Sequence, residues 1–334
     1  MFSPDGYDAL IGGAALLDRT DRGLLRFTGA DRRAYLQGLL TNDIAALEPG
    51  TGCYTAMLTA QGRMIADMRV VEIGEALLAS TPRSLAAPLR DRFDQFIFSE
   101  DVAVTDVSEA TAQLTVLGPK AAAVVTAAFH DAGRLATLRP FENVRLDMGG
   151  APVVVAGSDE FGIAGFDLFV DSVRAGEIRE ALLGGGAAAV DLETALVRRI
   201  EAGRPEFLVD MDEDTIPLEA GLEDRAINQT KGCYVGQEII IRVLHRGHGR
   251  VAKRLVGLLL DRNAERGNVV RAADRDVGKV TSAAHSPTLN RDIALAYVHR
   301  DFVAPGTEVS VVTSSGEARA EVAALPFVPD QRPS

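Results

Sequence analysis

The segment Lys231-Gly232-Cys233-Tyr234-Val235-Gly236-Gln237-Glu238, followed by Arg242, Arg246 and Gly247, gathers the parts of a reactive or anion-facing turn. A thiol attacks as its thiolate, and a nearby cation or helix start favours that form. If Gly236 opens a helix, Cys233 stands just before the positive end, with Lys231 close by in the chain. The run Ile239-Ile240-Ile241 suits a strand as well as a helix, because its side chains are β-branched. The plain alternative is that Cys233 is a small buried hydrophobe. From Lys231 to Arg254 the chain holds Lys231, Arg242, Arg246, Arg250, Lys253 and Arg254 against the single acid Glu238. Such an island suits a polyanionic ligand tail, or equally a salt-bridged face.

A second group lies on a hairpin pattern. Cys53 to Thr59 and Arg63 to Val71 flank Ala60-Gln61-Gly62, and alternate strand residues share a face. Arg63, Asp67 and Arg69 then lie together, with Tyr54 on the opposing strand. Asp67 in that setting is a candidate proton carrier, or one side of a cross-strand ion pair worth little if exposed. A cysteine hydrolase with Cys233 activated by His245 or His248 is a weaker reading. Activated nucleophiles need a partner in space, and no oxyanion-hole motif accompanies them.

The elements that must position these groups read as α+β followed by all-β. Leu24 to Phe27 forms a strand, Gly29 a turn, and Leu36, Leu39 and Leu40 mark one face of a helix. The same grammar returns at Leu114 to Leu117, Gly118-Pro119 and an alanine-rich helix, which suggests related halves. Leu85, Leu89, Phe93, Phe96 and Ile97 follow helical spacing, with Pro88 marking a kink or the true start. Strands at 152–156 and 166–170 precede a helix near 173–183. Asp191 offers an N-cap for a helix bearing Leu192, Leu196 and Ile200. From Lys253 onward, short strand candidates at 255–260, 277–281, 293–298 and 308–312 read as a small C-terminal barrel. The expected division is residues 1–245, two interleaved α+β domains, and residues 250–330.

The 334 residues exceed one small domain, and a 47% hydrophobic composition allows a core without cross-links. A formal net charge of -12 excludes a surface built for the phosphate backbone of nucleic acid, so any anion site is local. No stretch approaches the roughly 20 apolar residues that span a bilayer, so no membrane partner and a cytoplasmic location are expected. Two cysteines, Cys53 and Cys233, are too few for a disulfide scaffold, a four-cysteine zinc site or a self-contained iron–sulfur cluster. No metal site and no nucleotide-binding glycine motif is expected.

The Lys231 to Glu238 segment with Arg242, Arg246 and Gly247 resembles the signature of YgfZ-type folate-binding proteins, a branch of the aminomethyltransferase superfamily. Gly29 to Asp43, Tyr54 to Asp67, and Gly278-Lys279-Val280-Thr281-Ser282 with Ser286-Pro287 are similar to other superfamily segments. The resemblance implies a three-domain, ring-like fold with tetrahydrofolate in a central channel. It implies a pterin-binding carboxylate at Glu201, because Arg199-Ile200-Glu201-Ala202-Gly203 resembles the segment that carries one. Tyr54, Lys231, Arg242 and Arg246 are the further expected folate contacts. The superfamily's transferases carry two adjacent aspartates after the hairpin. Here the first is Ala66 and Asp67 matches the second, near the reactive nitrogens of the folate. The leading expectation is a tetrahydrofolate-binding accessory protein for iron–sulfur cluster assembly or repair, using Cys233, with assembly proteins or client enzymes as partners. The alternative is a folate-dependent aminomethyl or one-carbon transferase using Asp67.

Overall fold

A computed structural model describes residues 2–129, 134–246 and 249–330, and of Arg246 only the backbone. The chain opens with α1 (Pro4–Gly12), β1 (Ala15–Asp18), β2 (Arg22–Thr28) and α2 (Arg32–Leu39). The expected hairpin follows as β3 (Gly52–Leu58) and β4 (Met64–Glu72), then β5 (Leu77–Pro82), α3 (Ala86–Asp94) and β6 (Ala103–Asp106). Pro88 falls in the first turn of α3, where its missing N–H has no helical partner to lose. Next come β7 (Thr111–Leu117), α4 (Ala121–Phe129), β8 (Asn143–Met148), β9 (Ala151–Ser158), β10 (Gly165–Asp171) and α5 (Ala175–Gly184). The pair β11 (Ala188–Ala189) and α6 (Leu192–Glu201) leads to the short helices α7 (Glu223–Ala226) and α8 (Gln237–Ile241). Asp191 caps α6 as expected, its Oδ1 accepting the Thr194 N–H at 2.8 Å.

Two sheets form from these strands. The six-stranded sheet runs β11-β1-β7-β10-β9-β8 and the five-stranded sheet β3-β4-β5-β2-β6. The six-stranded sheet therefore takes β1 from before the five-stranded sheet and β7 to β11 from after it. Each sheet carries helices on one face. Val124, Val125 and Phe129 of α4 and Leu182 of α5 pack on Val116 and Leu168, while Leu36 of α2 and Phe93 of α3 pack on Phe27 and Val70. The opposite faces meet, with Leu24, Val71 and Leu78 against Val154, Ala156 and Phe169.

The remaining strands, β12 (Lys253–Leu260), β13 (Val269–Ala272), β14 (Arg275–Ser286), β15 (Arg291–His299), β16 (Glu308–Thr313) and β17 (Gly316–Ala323), close into a barrel. Alternation fills its lumen with Leu258, Val280, Ala296 and Val311. It also turns Leu255, Leu295 and Tyr297 outward onto Ile200, Leu218 and the hairpin residues Tyr54 and Leu58. No helix among the described residues is long and apolar enough to cross a membrane.

Candidate functional site

The meeting of the two sheets is apolar at one end and polar at the other, and register explains which residues face inward. Tyr54 pairs with Arg69 and Arg69 with Ser80, so these three share a face with Asp67 one alternation away. On the other sheet Asp167 pairs with Thr115 and Ala156, Phe169 with Gln113, and Gly165 with Ser158. Because Ala156 and Phe169 touch the first sheet, Asp167, Thr115, Gln113 and Ser158 face it too. Ser80 Oγ donates to Gln113 Oε1 at 2.8 Å and joins the two sheets directly.

At this polar end, which we call the chamber for its facing polar walls, the Tyr54 hydroxyl donates to Asp67 Oδ2 at 2.6 Å. Burial pushes the Tyr54 phenol well above its usual range, and the Asp67 carboxylate raises it further. Two guanidiniums lie over the Tyr54 ring, Arg69 at 5.8 Å and Arg225 at 5.4 Å from its centroid. Glu160, from the β9–β10 loop, takes an ion pair from Arg69 at 3.0 Å and another from Arg19 at 2.8 Å. Burial alone would raise the Glu160 carboxyl, but Arg19 and Arg69 overcome it and hold the group far below the usual carboxylate range. Its neighbour Asp159 pairs with Arg225 at 3.0 Å.

Four buried polar atoms in this chamber have no partner: Asp67 Oδ1, Arg69 Nη1, Gln113 Nε2 and Ser158 Oγ. Buried polar groups are nearly always satisfied, so an acceptor, two donors and a hydroxyl without protein partners mark this polar end of the sheet interface as a candidate site. Arg69 was grouped with Asp67 in the sequence, but Glu160, Arg225, Gln113 and Asp167 were not singled out there. Asp167 had a readable signal, an acid inside the apolar strand Gly165–Asp171, but the other three depend on tertiary register.

Glu201 occupies a different post. It ends α6 in full burial, and Tyr7 donates to both its carboxylate oxygens at 2.7 Å. Ser286 Oγ donates to Oε1 at 2.5 Å and Arg198 Nη1 to Oε2 at 3.1 Å. The compensation that a carboxylate needs at a helix C-terminus thus comes from α1, α6 and the barrel. A pterin edge reaches Glu201 only if these donors let go.

Lys231 is likewise enclosed. Its ammonium donates to the carbonyls of Gln37 at 2.7 Å, Leu40 at 2.5 Å and Asn42 at 2.8 Å, capping the C-terminal end of α2. All three N–H bonds of the ammonium are used there, so it faces backbone rather than a ligand. Burial lowers its pKa to about 8, partly offset by Asp43 and Cys53. Cys53 feels the same contact in reverse. Burial pushes that thiol up to about 12, and Lys231 only moderates the rise.

Cys233 is exposed, between the buried residues Lys231 and Tyr234. The expected helix start exists, but α8 has only five residues. Gly236 precedes it at φ +86°, where a Cβ would stand 2.5 Å from the Thr59 carbonyl oxygen. The motif therefore sits directly on the β3–β4 turn, and Val235 N–H binds the Gly38 carbonyl at 3.2 Å. In the basic island, Arg242 pairs with Glu238 at 2.8 Å, Arg254 pairs with Glu223, and Lys253 lies over the Tyr297 ring. His245 is exposed, while the Arg246 side chain and His248 lie outside the described residues. Among the described residues no group of three or more His, Cys, Asp or Glu side chains is arranged to hold a metal ion.

Comparison with known proteins agrees with this architecture. A GCVT N-terminal domain profile matches residues 5–231, and that of the glycine cleavage T-protein C-terminal barrel domain matches residues 253–329. An aminomethyltransferase of Geobacillus kaustophilus is 32% identical over 333 residues, spanning 96% of this chain and 89% of that protein. One from Streptomyces coelicolor is 32% identical over 327 residues, spanning 96% and 87%. The crystal structure of glycine cleavage system aminomethyltransferase T from Bartonella henselae superposes with a TM-score of 0.89 at 22% identity, covering 99% of this chain and 92% of that one. The fold is the aminomethyltransferase T-protein fold, and the chain belongs to the GCVT aminomethyltransferase superfamily.

Proposed function

We propose that this protein binds tetrahydrofolate in the Tyr54–Asp67 chamber and acts in folate-dependent one-carbon chemistry there. The observation that carries the reading is the half-used Asp67 carboxylate: Oδ2 is held by Tyr54 while buried Oδ1 has no partner, and Arg69 Nη1 on the same strand and Gln113 Nε2 on the other sheet are also unpartnered. A bound tetrahydrofolate would supply the nitrogens that carry the one-carbon unit. In this reading Asp67 Oδ1 accepts or returns a proton at such a nitrogen, and the Tyr54 hydroxyl, which donates to Oδ2, orients the carboxylate. Arg242 and Arg246 remain the candidate contacts of a polyglutamate tail. Family membership supports aminomethyl transfer as the reaction.

A second reading has its own observation. Cys233 is an exposed thiol, and Ala66 stands where the transferases carry the first of two aspartates. This favours the YgfZ-type role, in which bound folate and Cys233 serve the maturation or repair of iron–sulfur proteins. A single cysteine cannot hold a cluster, so such contact is shared with a partner protein.

Calorimetric titration of tetrahydrofolate into the parent and Asp67→Asn tests the shared part. A lost charge-assisted hydrogen bond of about 1.5 to 3 kcal/mol weakens binding roughly 10- to 100-fold. Equal affinity in both proteins removes Asp67 from the site, and no binding by the parent removes folate. Incubation with tetrahydrofolate and an aminomethyl donor then separates the two roles. Steady formation of methylene-tetrahydrofolate assigns transfer, and its absence in a folate-binding protein assigns the Cys233 role.

A further inference from the structure

A set of hydrogen bonds leads from the backbone of Tyr54 and Arg225 to Lys231, two residues before the exposed thiol. Asn42 Nδ2 donates to the Tyr54 carbonyl at 2.8 Å and to the Arg225 carbonyl at 3.4 Å. The Asn42 carbonyl in turn accepts the Lys231 ammonium at 2.8 Å. Asn228 Oδ1 accepts the Lys231 N–H at 2.8 Å, and the Asn228 N–H binds the Thr41 carbonyl at 3.1 Å. Cys233 follows Lys231 directly after Gly232, and past it Val235 and Gly236 are seated on Gly38 and on the turn of the hairpin that bears Tyr54 and Asp67. The thiol is therefore free at its tip but anchored on both sides. Both anchors belong to the frame of the chamber.

We propose that Lys231 is a positioning residue that couples the folate chamber to Cys233, so that occupancy at Tyr54 and Arg225 changes how the thiol is presented. The inference rests on the folate reading above and deepens it, because it makes the folate a regulator of the cysteine's access to a partner's sulfur or metal. A ligand acts on a second site only through a difference in its interaction with two states. Here the two states are the turn clasped by Lys231 and the turn released from it. The aliphatic stem of Lys231 lies among buried groups and its ammonium reaches three carbonyls that converge on one point. Arginine has donors in a planar fork and meets such a point less well, whereas methionine fills the space and makes no clasp.

The test measures the iodoacetamide alkylation rate of the Cys233 peptide by mass spectrometry, with and without tetrahydrofolate, on the full chain at constant pH. In the parent, saturating tetrahydrofolate changes the rate by about fivefold or more, the lower end of ordinary coupling between sites. Lys231→Met still binds tetrahydrofolate by calorimetry but loses this difference, and Lys231→Arg recovers part of it. A merely structural lysine would lower the melting temperature and leave the folate effect intact. If the parent binds tetrahydrofolate and the Cys233 rate does not change, the coupling is wrong while the folate reading stands. If the parent does not bind tetrahydrofolate, both fall. Should Lys231→Met fail to fold, Lys231→Arg decides: a folate effect as large as the parent's overturns the clasp.

Discussion

Glu201 and Asp67 are both buried carboxylates bound by a tyrosine hydroxyl, and they do opposite things. Glu201 receives Tyr7, Ser286 and Arg198, whereas Asp67 receives Tyr54 on one oxygen and nothing on the other. The first arrangement is closed and joins three parts of the chain. The second leaves one buried carboxylate oxygen without a protein partner, an arrangement that costs stability. The resemblance pointed first to Glu201 and, with Ala66 as a departure, to Asp67; their partner counts set them apart in the fold.

The comparison is most sharply broken by Glu201→Ala. Removing one member of a buried pair leaves the Arg198 charge uncompensated, and a stability loss of about 3 to 5 kcal/mol in urea unfolding is expected. Affinity for tetrahydrofolate in the folded fraction should hardly change, and a large affinity loss at unchanged stability would return Glu201 to the pterin. Acid tests the closed end of the chamber. Glu160 is held below its ordinary value of 4.5, so its contribution is fully present above that pH and is lost as pH falls below it. Unfolding free energy should drop between about pH 4.5 and 2 in the parent, and less steeply in Glu160→Gln. Asp67→Asn is expected to leave the melting temperature nearly unchanged while folate affinity falls as described above. Arg242→Ala gives the smallest effect. The exposed pair with Glu238 is worth under about 1 kcal/mol, so only polyglutamylated folate should weaken, by a few-fold.

Much of the fold was legible because its signals are local. The N-cap Asp191, the turn at Ala60-Gln61-Gly62 and the change of period at Lys253 each act within a few residues. What was missed is what depends on neighbours in space. β1, β8 and β13 are short or carry polar residues, and β11 has only two residues. Pattern alone could not say that Arg69 would meet Glu160 or that Arg225 would cover Tyr54. The charge of Lys231 was legible as well, but its direction was not. It points into the end of α2 beside Cys53, and Cys233 is left at the surface. The C-terminal barrel was expected from alternation, whereas its outer face against the Tyr54 hairpin was not.

The segment after β17 turns back to α6. Val328 N–H binds the Glu201 carbonyl at 3.0 Å, Arg198 reaches the Pro329 carbonyl at 3.0 Å, and Asp330 pairs with Arg204 at 2.6 Å. The N-terminal helix arrives at the same place through Tyr7. Stretches more than three hundred residues apart in the chain are thus fastened around one helix end. In mechanical terms the barrel is a closed link rather than a pendant, and it cannot swing away without first undoing the last turn of α6. The molecule should therefore melt as one cooperative unit in calorimetry, and shortening the chain before Val328 should split that single transition in two.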